Sequence, residues 1–395
     1  MPARSEVPQR YDVLIVGAGL AGATFAWYAR QSGLRVLVLE VTGRLGGLAA
    51  SERRLGIDVH LWGPHIFHAS DPDVIRLARS TSDFVPTRHS PVALYQGLTY
   101  SLPPNLWTMR QLWGVATPEE AKARWESERI PPPAGVDHFE SRGRWQLGTT
   151  IYETIFRHYS EKQWGRPCTE LPGSLLERTG IRFSYDNRYF RDVFEGVPAD
   201  GYSAWVGRLL AGCDVRLNCD FFQDPAGFAA AAPLRLYTGP IDRFFDYRHG
   251  RLGWRSLEFR HEVHEGSRNV QGTAVINHCD ASTPLTRSTE PAHFDPEGVR
   301  KRQEAAGLNC SILMHETPVA AGADRMPCYP ELDAANRARA ELYRSAAAAR
   351  PGWLFAGRLA EYRYLNMDQV ILGSLELAKR HLGPLPTTST TGDLS

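Results

Sequence analysis

The stretch YDVLIVGAGLAGATFAWYARQSGLRVLVLE, residues 11–40, constrains the fold more than any other. Residues 12–16 are an apolar run of strand length, 20–31 read as a helix ending near Gly33, and 35–39 are a second apolar run. Gly17, Gly19 and Gly22 stand between the first run and the helix with the spacing G-x-G-x-x-G, and Glu40 closes the second run. In this context the glycines let the backbone approach a pyrophosphate and the helix amino end stabilises its charge. Glu40 accepts hydrogen bonds from ribose hydroxyls. The chain therefore reads as α/β, built on a Rossmann-type dinucleotide-binding domain.

Two further stretches favour FAD over NAD. Glu40 is followed by VTGRLGGLAAS, with the pair Gly46–Gly47, a common flavoprotein continuation. Near the end, residues 352–382 read as a strand, a loop and a helix carrying an apolar stripe at Val370, Ile371, Leu375 and Leu377. Such a helix points a positive amino end at the flavin, which favours an anionic reduced ring. No second G-x-G-x-x-G follows, so no separate NAD(P)H site is expected.

Between these ends the character changes. Residues 105–182 read as an inserted helical domain; Thr117 and Glu120 form a capping box for one of its helices. Residues 86–102, 183–195 and 250–290 alternate apolar and polar, as antiparallel strands do. The expected division is an FAD-binding domain of residues 1–84, about 200–245 and about 340–384. The helical domain is about 105–182. An antiparallel sheet domain takes about 85–104, 183–199 and 246–339. A disordered tail covers 385–395.

Forty-five basic and 44 acidic residues nearly balance, so neither nucleic acid nor an anionic membrane is an expected partner. An anionic ligand must then meet a local arginine cluster. The six cysteines are scattered without C-x-x-C spacing, no apolar run is long enough to span a membrane, and no signal peptide precedes the first strand. A cytoplasmic protein is the expectation. Arginines recur beside tyrosines in loops: Arg178, Arg182 and Arg188 with Tyr185 and Tyr189, Arg287, Tyr329, and Arg358 and Arg363 with Tyr362 and Tyr364. An isolated arginine is ordinarily a solvated surface group, but the repeated pairing supplies the donors a diphosphate needs. Tyr159 and Trp164 in HYSEKQWGRP either stack on a base or sugar or fill a core.

HLWGPHIFH, residues 60–68, brings together His60, His65 and His68. The spacing alone allows a metal site. No carboxylate- or cysteine-rich segment supports one, so no metal is expected. In an FAD protein, Gly63–Pro64 makes a rigid turn that presses the rings on the flavin, with His65 orienting it and His60 structural.

With VGAGLAGA, GPHIFH, YSEKQWG, RFSYDNRYF, YTGPIDRFFDYRHG, TPLTRSTE, CYP and GRLAEYRYLNMD in this order, the chain resembles the prokaryotic UDP-galactopyranose mutases from about Tyr11 to His381. The resemblance implies a flavin-dependent isomerase that interconverts pyranose and furanose forms of a nucleotide diphosphate sugar. Reduced FAD is its active cofactor: N5 attacks the anomeric carbon, the adduct opens through an iminium ion, and no net redox occurs. An external reductant is implied, and the family is often homodimeric. Arg178 and Arg287 match the diphosphate clamp, with Tyr189, Tyr329 and Tyr364 beside them. Phe156 and Tyr159 match the base-stacking positions, and Trp164 the sugar-side tryptophan. His65, His68, Arg358 and Met367 match the flavin-facing positions.

The chain departs from the family pattern on the sugar side. His89 stands where an asparagine is usual, Asn366 replaces an acidic residue, Leu285 and Cys328 replace tyrosines, and Ala69, Thr42, Leu48 and Ile155 are further changes. A site that recognises a hydroxyl by a buried polar group discriminates strongly, so these changes suggest a deoxy or otherwise modified hexose, or another nucleobase. A net-redox flavoenzyme of the amine-oxidase type and a catalytically silent binding protein are the readings of other classes.

Overall fold

A computed structural model describes residues 11–176, 180–322 and 325–385. The glycine fingerprint lies at the centre of a five-stranded parallel sheet. Its order is Asp214–Arg216, Val36–Leu39, Val13–Val16, Leu234–Tyr237, Trp353–Phe355, with Val13 in register with both Val36 and Leu234. Helices cover such a sheet on both faces, so its inner strands Val13–Val16 and Val36–Leu39 are apolar throughout. Alternate side chains sort between two cores. Val13, Ile15, Val36 and Val38 join Phe25, Tyr202 and Trp205 on one face; Leu14, Leu37 and Leu39 join Phe221, Phe228 and Trp353 on the other.

The helices Leu20–Gln31 and Met367–Leu382 share the first of these cores through Phe25, Ile371 and Ala378. The Tyr28 hydroxyl donates to Gly383 O at 2.8 Å and fixes their relative position. The amino ends of both helices are thereby set by one packed face. No described helix is long and apolar enough to cross a membrane.

A seven-stranded sheet forms the second layer. Its spine is Trp254–Glu265 against Cys310–Ala320, antiparallel from Arg255↔Ala320 to Glu265↔Cys310. Arg287–Thr289, Val275–His278, Val92–Tyr95 and Leu98–Ser101 extend it on one side, and Tyr329–Pro330 on the other. This sheet is not wholly antiparallel, because Val275–His278 runs parallel to Val92–Tyr95.

The segment 183–199 does not enter the large sheet. Phe194–Pro198 pairs instead with Phe67–Ala69 and Phe84–Pro86 in a separate three-stranded sheet. Residues 183–193 form no strand. Their carbonyls turn inward to one side chain: the Arg182 guanidinium, 8% exposed, donates to the carbonyls of Asp186, Arg188 and Tyr189. The aromatic alternation that suggested a strand reflects ring packing, not a ladder.

The helical layer holds Leu106–Trp113, Pro118–Glu128 and Phe139–Gln146, with the Thr117–Glu120 capping box formed. It ends in a π-helical turn, Tyr152–Phe156, that runs directly into the helix Arg157–Trp164. Beyond Leu385 the tail lies outside the described residues.

Candidate active site

The glycine turn is explained by its neighbours. Gly17 has φ +108°, and a Cβ there would lie 2.1 Å from Thr238 Oγ1. A Cβ on Gly22 would lie 2.1 Å from Gly17 O. Gly19 meets no such obstacle; the nearest atom to its Cβ position is Gly47 Cα at 3.7 Å. Gly17 and Gly22 are thus demanded by the turn and the helix packing, whereas Gly19 leaves bare backbone for a ligand. Gly46, at φ +113°, donates its N–H to Ala18 O at 3.0 Å and laces the second glycine loop to the first. Glu40 is buried. Its Oε2 accepts Ala18 N–H at 2.8 Å, and its Oε1 accepts the N–H and hydroxyl of Thr42 at 2.9 and 2.8 Å.

The three histidines of the 60–68 loop have separate partners. His60 Nδ1 accepts His65 N–H at 3.0 Å, and its ring lies parallel to Phe294 at 5.2 Å. Burial, helped by His65, lowers its pKa to about 3, so it is neutral. His65 Nε2 bonds Leu48 O at 2.6 Å; a carbonyl only accepts, so Nε2 carries the proton. Burial also lowers the His65 pKa, against two backbone hydrogen bonds and with Arg358 and Arg287 adding to it. His68 Nδ1 bonds Asp192 Oδ2 at 2.8 Å, and its ring stacks on Phe190 at 3.7 Å. Among the described residues no group of three His, Cys, Asp or Glu side chains is set to hold a metal ion.

His68 also faces Asp368 in the first turn of the helix Met367–Leu382, which Asn366 caps with Gln369. Burial raises the Asp368 pKa, with His68 opposing, and Asp368 Oδ1 is buried with no hydrogen-bond partner. Met367 packs against the core beneath this helix.

A second cluster lies on the large sheet. Arg287 and Glu316 are cross-strand partners. Arg287 Nε lies 3.2 Å from Glu316 Oε1, an ion pair without an aligned hydrogen bond, and Arg287 Nη2 donates to the Tyr329 hydroxyl at 3.3 Å. Burial opposes the charge on Arg287, but Glu316 and then Tyr159, Tyr329 and Tyr364 outweigh it, and its pKa lies well above the usual value. Burial pushes the Glu316 pKa up, with Arg287 opposing; Thr286 donates to Oε1 at 3.2 Å and Oε2 has no partner. Burial likewise raises the phenols of Tyr159 and Tyr329, so both remain hydrogen-bond donors.

The aromatic rings continue outward. Tyr329 stacks on Tyr364 at 5.7 Å and meets Trp164 edge-on at 6.4 Å. Arg358 spends its donors on backbone: Nε and Nη2 on Leu365 O at 3.2 and 2.6 Å, and Nη1 on Cys328 O at 3.0 Å. Its position is that of a brace between the segments carrying Tyr329 and Tyr364. Cys328 is buried, which raises its thiol pKa to about 12 and makes it a small apolar residue there.

Between the two clusters lies His89. Its N–H donates to Glu195 Oε1 at 2.5 Å, and its ring lies 5.2 Å from Tyr189 and 5.6 Å from Phe190. Burial, followed by Arg287 and His68, lowers its pKa to about 3, and Nδ1 has no hydrogen-bond partner. Phe156 and Tyr159 line the helical side, on the π-helical turn and the helix after it. Arg178 lies outside the described residues.

The structure thus brings Arg287, Tyr159, Tyr329 and Tyr364 together, with His89 joining them to the histidine loop. Sequence reasoning did not single out Glu316, Phe190, Asp192 or Lys162. Lys162 was within sight, inside YSEKQWG and three positions after Tyr159. Glu316 was not, because it depends on strand register.

The chain is similar to known proteins over nearly its whole length. The family description "UDP-galactopyranose mutase" matches residues 154–364, and "NAD(P)-binding Rossmann-like domain" matches 15–81. A Klebsiella pneumoniae protein named "Probable UDP-galactopyranose mutase" is 32% identical, covering 94% of each chain. A "dTDP-fucopyranose mutase" of Escherichia coli is also 32% identical, covering 94% of this chain and 98% of its own. A solved structure of reduced UDP-galactopyranose mutase superposes with a TM-score of 0.69 at 15% identity, covering 95% of this chain and 96% of the other.

Proposed function

Because the chain belongs to the UDP-galactopyranose mutase family, we propose that it interconverts the pyranose and furanose forms of a nucleotide diphosphate sugar, with reduced FAD as cofactor. The observation that carries this reading is the buried Arg287–Glu316 pair ringed by Tyr159, Tyr329 and Tyr364. It is a buried, donor-rich seat for a diphosphate beside a dinucleotide cradle.

The residues present fit FAD. Gly19 leaves bare backbone in the turn that Gly17 and Gly22 shape, Gly46 and Gly47 form the loop laced to it, and Glu40 has a carboxylate at the strand end. The helix beginning at Met367 offers its amino end, with the unpartnered Asp368 Oδ1 close by. His65 and His68 then face the ring, and Arg358 braces the segments around it. When bound, reduced FAD supplies the electron pair that displaces the diphosphate from the anomeric carbon and later regains it, so no net reducing equivalents are consumed.

The protein's own residues hold the reacting parts together. Arg287 neutralises the diphosphate and retains it as a bound leaving group; Arg178 shares that task in this reading. Tyr189, Tyr329 and Tyr364 donate to phosphate oxygens. Phe156 and Tyr159 stack on the base, and Trp164 closes the sugar side. His65, being neutral, orients without adding charge beside two arginines.

A sugar other than galactose is the favoured substrate. The neutral His89, walled by Tyr189 and Phe190, supports this. The two relatives named for different sugars are equally similar, so identity does not choose between them. The deciding experiment is turnover of UDP-galactopyranose and dTDP-fucopyranose by dithionite-reduced protein, followed chromatographically. Furanose product only after reduction is expected. Reduced, FAD-loaded protein that isomerises no sugar nucleotide would overturn the reading. Flavin bleaching by substrate alone would favour net redox chemistry.

A further inference from the structure

Lys162 has no part in the mechanism above, yet its ammonium is fully used. Nζ donates to three carbonyls: His278 O at 2.8 Å, Asp280 O at 2.7 Å and Leu285 O at 2.7 Å. An ammonium has three N–H groups, so each is satisfied. Burial lowers its pKa, with Cys279 and Asp280 opposing. Among the described residues no carboxylate pairs with it.

The two sides of this clamp matter. Lys162 stands on the helix Arg157–Trp164, which also carries Tyr159 and Trp164 and continues the turn that ends at Phe156. The three acceptors are the last residue of Val275–His278 and two residues of the turn that leads from it to Arg287–Thr289, and the last lies two residues before Arg287. Within its own sheet that turn is also tied by Cys279 N–H to Leu94 O at 2.8 Å, His278 N–H to Thr286 O at 2.9 Å and Gln96 N–H to Asp280 Oδ1 at 3.0 Å, and the buried Cys279 packs in the helical core beside Ile155; among these ties the Lys162 ammonium supplies the hydrogen bonds that reach the helix Arg157–Trp164. The ammonium therefore joins the helix with the aromatic rings to the strand with the buried guanidinium.

We propose that Lys162 is a positioning residue that sets the distance between the base-stacking helix and Arg287, so that one nucleotide diphosphate is gripped at both ends. This rests on the reading that Phe156 and Tyr159 hold the base and Arg287 the diphosphate. Two tethered contacts gain affinity only when their spacing matches the ligand. A misplaced helix should weaken a ligand that spans both contacts while leaving each contact able to bind its own half.

The test uses FAD-loaded full-length protein with Lys162→Met, titrated with UDP, uridine and inorganic pyrophosphate. UDP affinity is expected to fall roughly tenfold or more, with uridine and pyrophosphate changed less than about twofold. Unchanged UDP binding would overturn the proposal. So would a parallel loss of all three ligands, which would make Lys162 an ordinary support of the fold. If Lys162→Met does not fold, Lys162→Arg receives the same titrations. Its larger head spreads the three acceptors, so the same selective loss is expected, and no loss or a parallel loss overturns the proposal. None of these measurements needs turnover, so a failed mutase reading is detected separately by the sugar-nucleotide assay.

Discussion

The dinucleotide cradle and the arginine–tyrosine seat differ in how the chain builds them. The cradle comes mainly from one contiguous stretch, residues 13–50, and works through backbone: bare glycines, peptide N–H groups and one carboxylate at a strand end. The seat is assembled from residues 156–164, 189, 287, 316, 329 and 364, and works through side chains, with a buried charge pair and neutral phenols. A backbone site tolerates changes in neighbouring side chains. A side-chain site fails when one member is removed, because its partners are left buried and unmatched. This predicts that the two can be damaged separately.

Arg287→Ala is the sharpest test. Turnover should fall by about 10²- to 10³-fold or more, and stability by roughly 3 kcal/mol because Glu316 is left buried without its cation. Bound flavin, read by its absorbance after gel filtration, should be retained. Loss of flavin together with activity would break the separation. Gly17→Ala should do the reverse. The new Cβ meets Thr238 Oγ1 in a left-handed backbone conformation, which costs about 1–3 kcal/mol. Flavin occupancy should drop severalfold, while UDP affinity changes little.

The legibility of the two regions follows from the same difference. The 11–40 pattern announced strand, turn, helix and strand because apolar periodicity and glycine spacing are local. The Rossmann-type fold of that stretch could accordingly be read directly. The capping box at Thr117 was local too, and formed. Register is not local. Nothing in RST or SILMHETPVA states that Arg287 faces Glu316, and that pairing exists only once the strands align. The 183–195 segment shows the converse error. Its alternation resembled a strand, but Arg182 takes up its carbonyls. The Arg–Tyr recurrence pointed to an anionic ligand; that Arg287 meets the Tyr329 hydroxyl while Arg358 braces backbone is visible only in the geometry.

Acid should act first on the buried histidines. His60 and His89 each have a pKa lowered to about 3 by burial. The unfolded chain binds these protons from about pH 6.5 downward, whereas the folded chain refuses them until about pH 3. Stability contributed by the neutral rings is therefore full above about pH 6.5 and is lost as pH falls, at roughly 1.4 kcal/mol per pH unit for each histidine. Urea titrations at pH 7, 6 and 5 should show this slope. His89→Asn should lower it by one proton's share; an unchanged slope would mean that His89 is already charged.

The smallest effect on total activity, and the finest probe of the seat, is sugar choice at His89. Its backbone N–H is committed to Glu195, its ring is neutral, and its wall is Tyr189 and Phe190. The ring's buried, unpartnered Nδ1 offers a hydroxyl one hydrogen-bond position where an asparagine amide offers an acceptor and two donors, so the native site matches a sugar face with fewer hydroxyls. His89→Asn exchanges ring area for an amide that can meet a hydroxyl. With both substrates assayed in the same reduced preparation, the ratio of kcat/KM for UDP-galactopyranose over dTDP-fucopyranose should rise by about tenfold. The better substrate of the native protein should lose only a fewfold. A ratio that does not move would place sugar discrimination elsewhere in the seat and leave His89 as packing against Phe190.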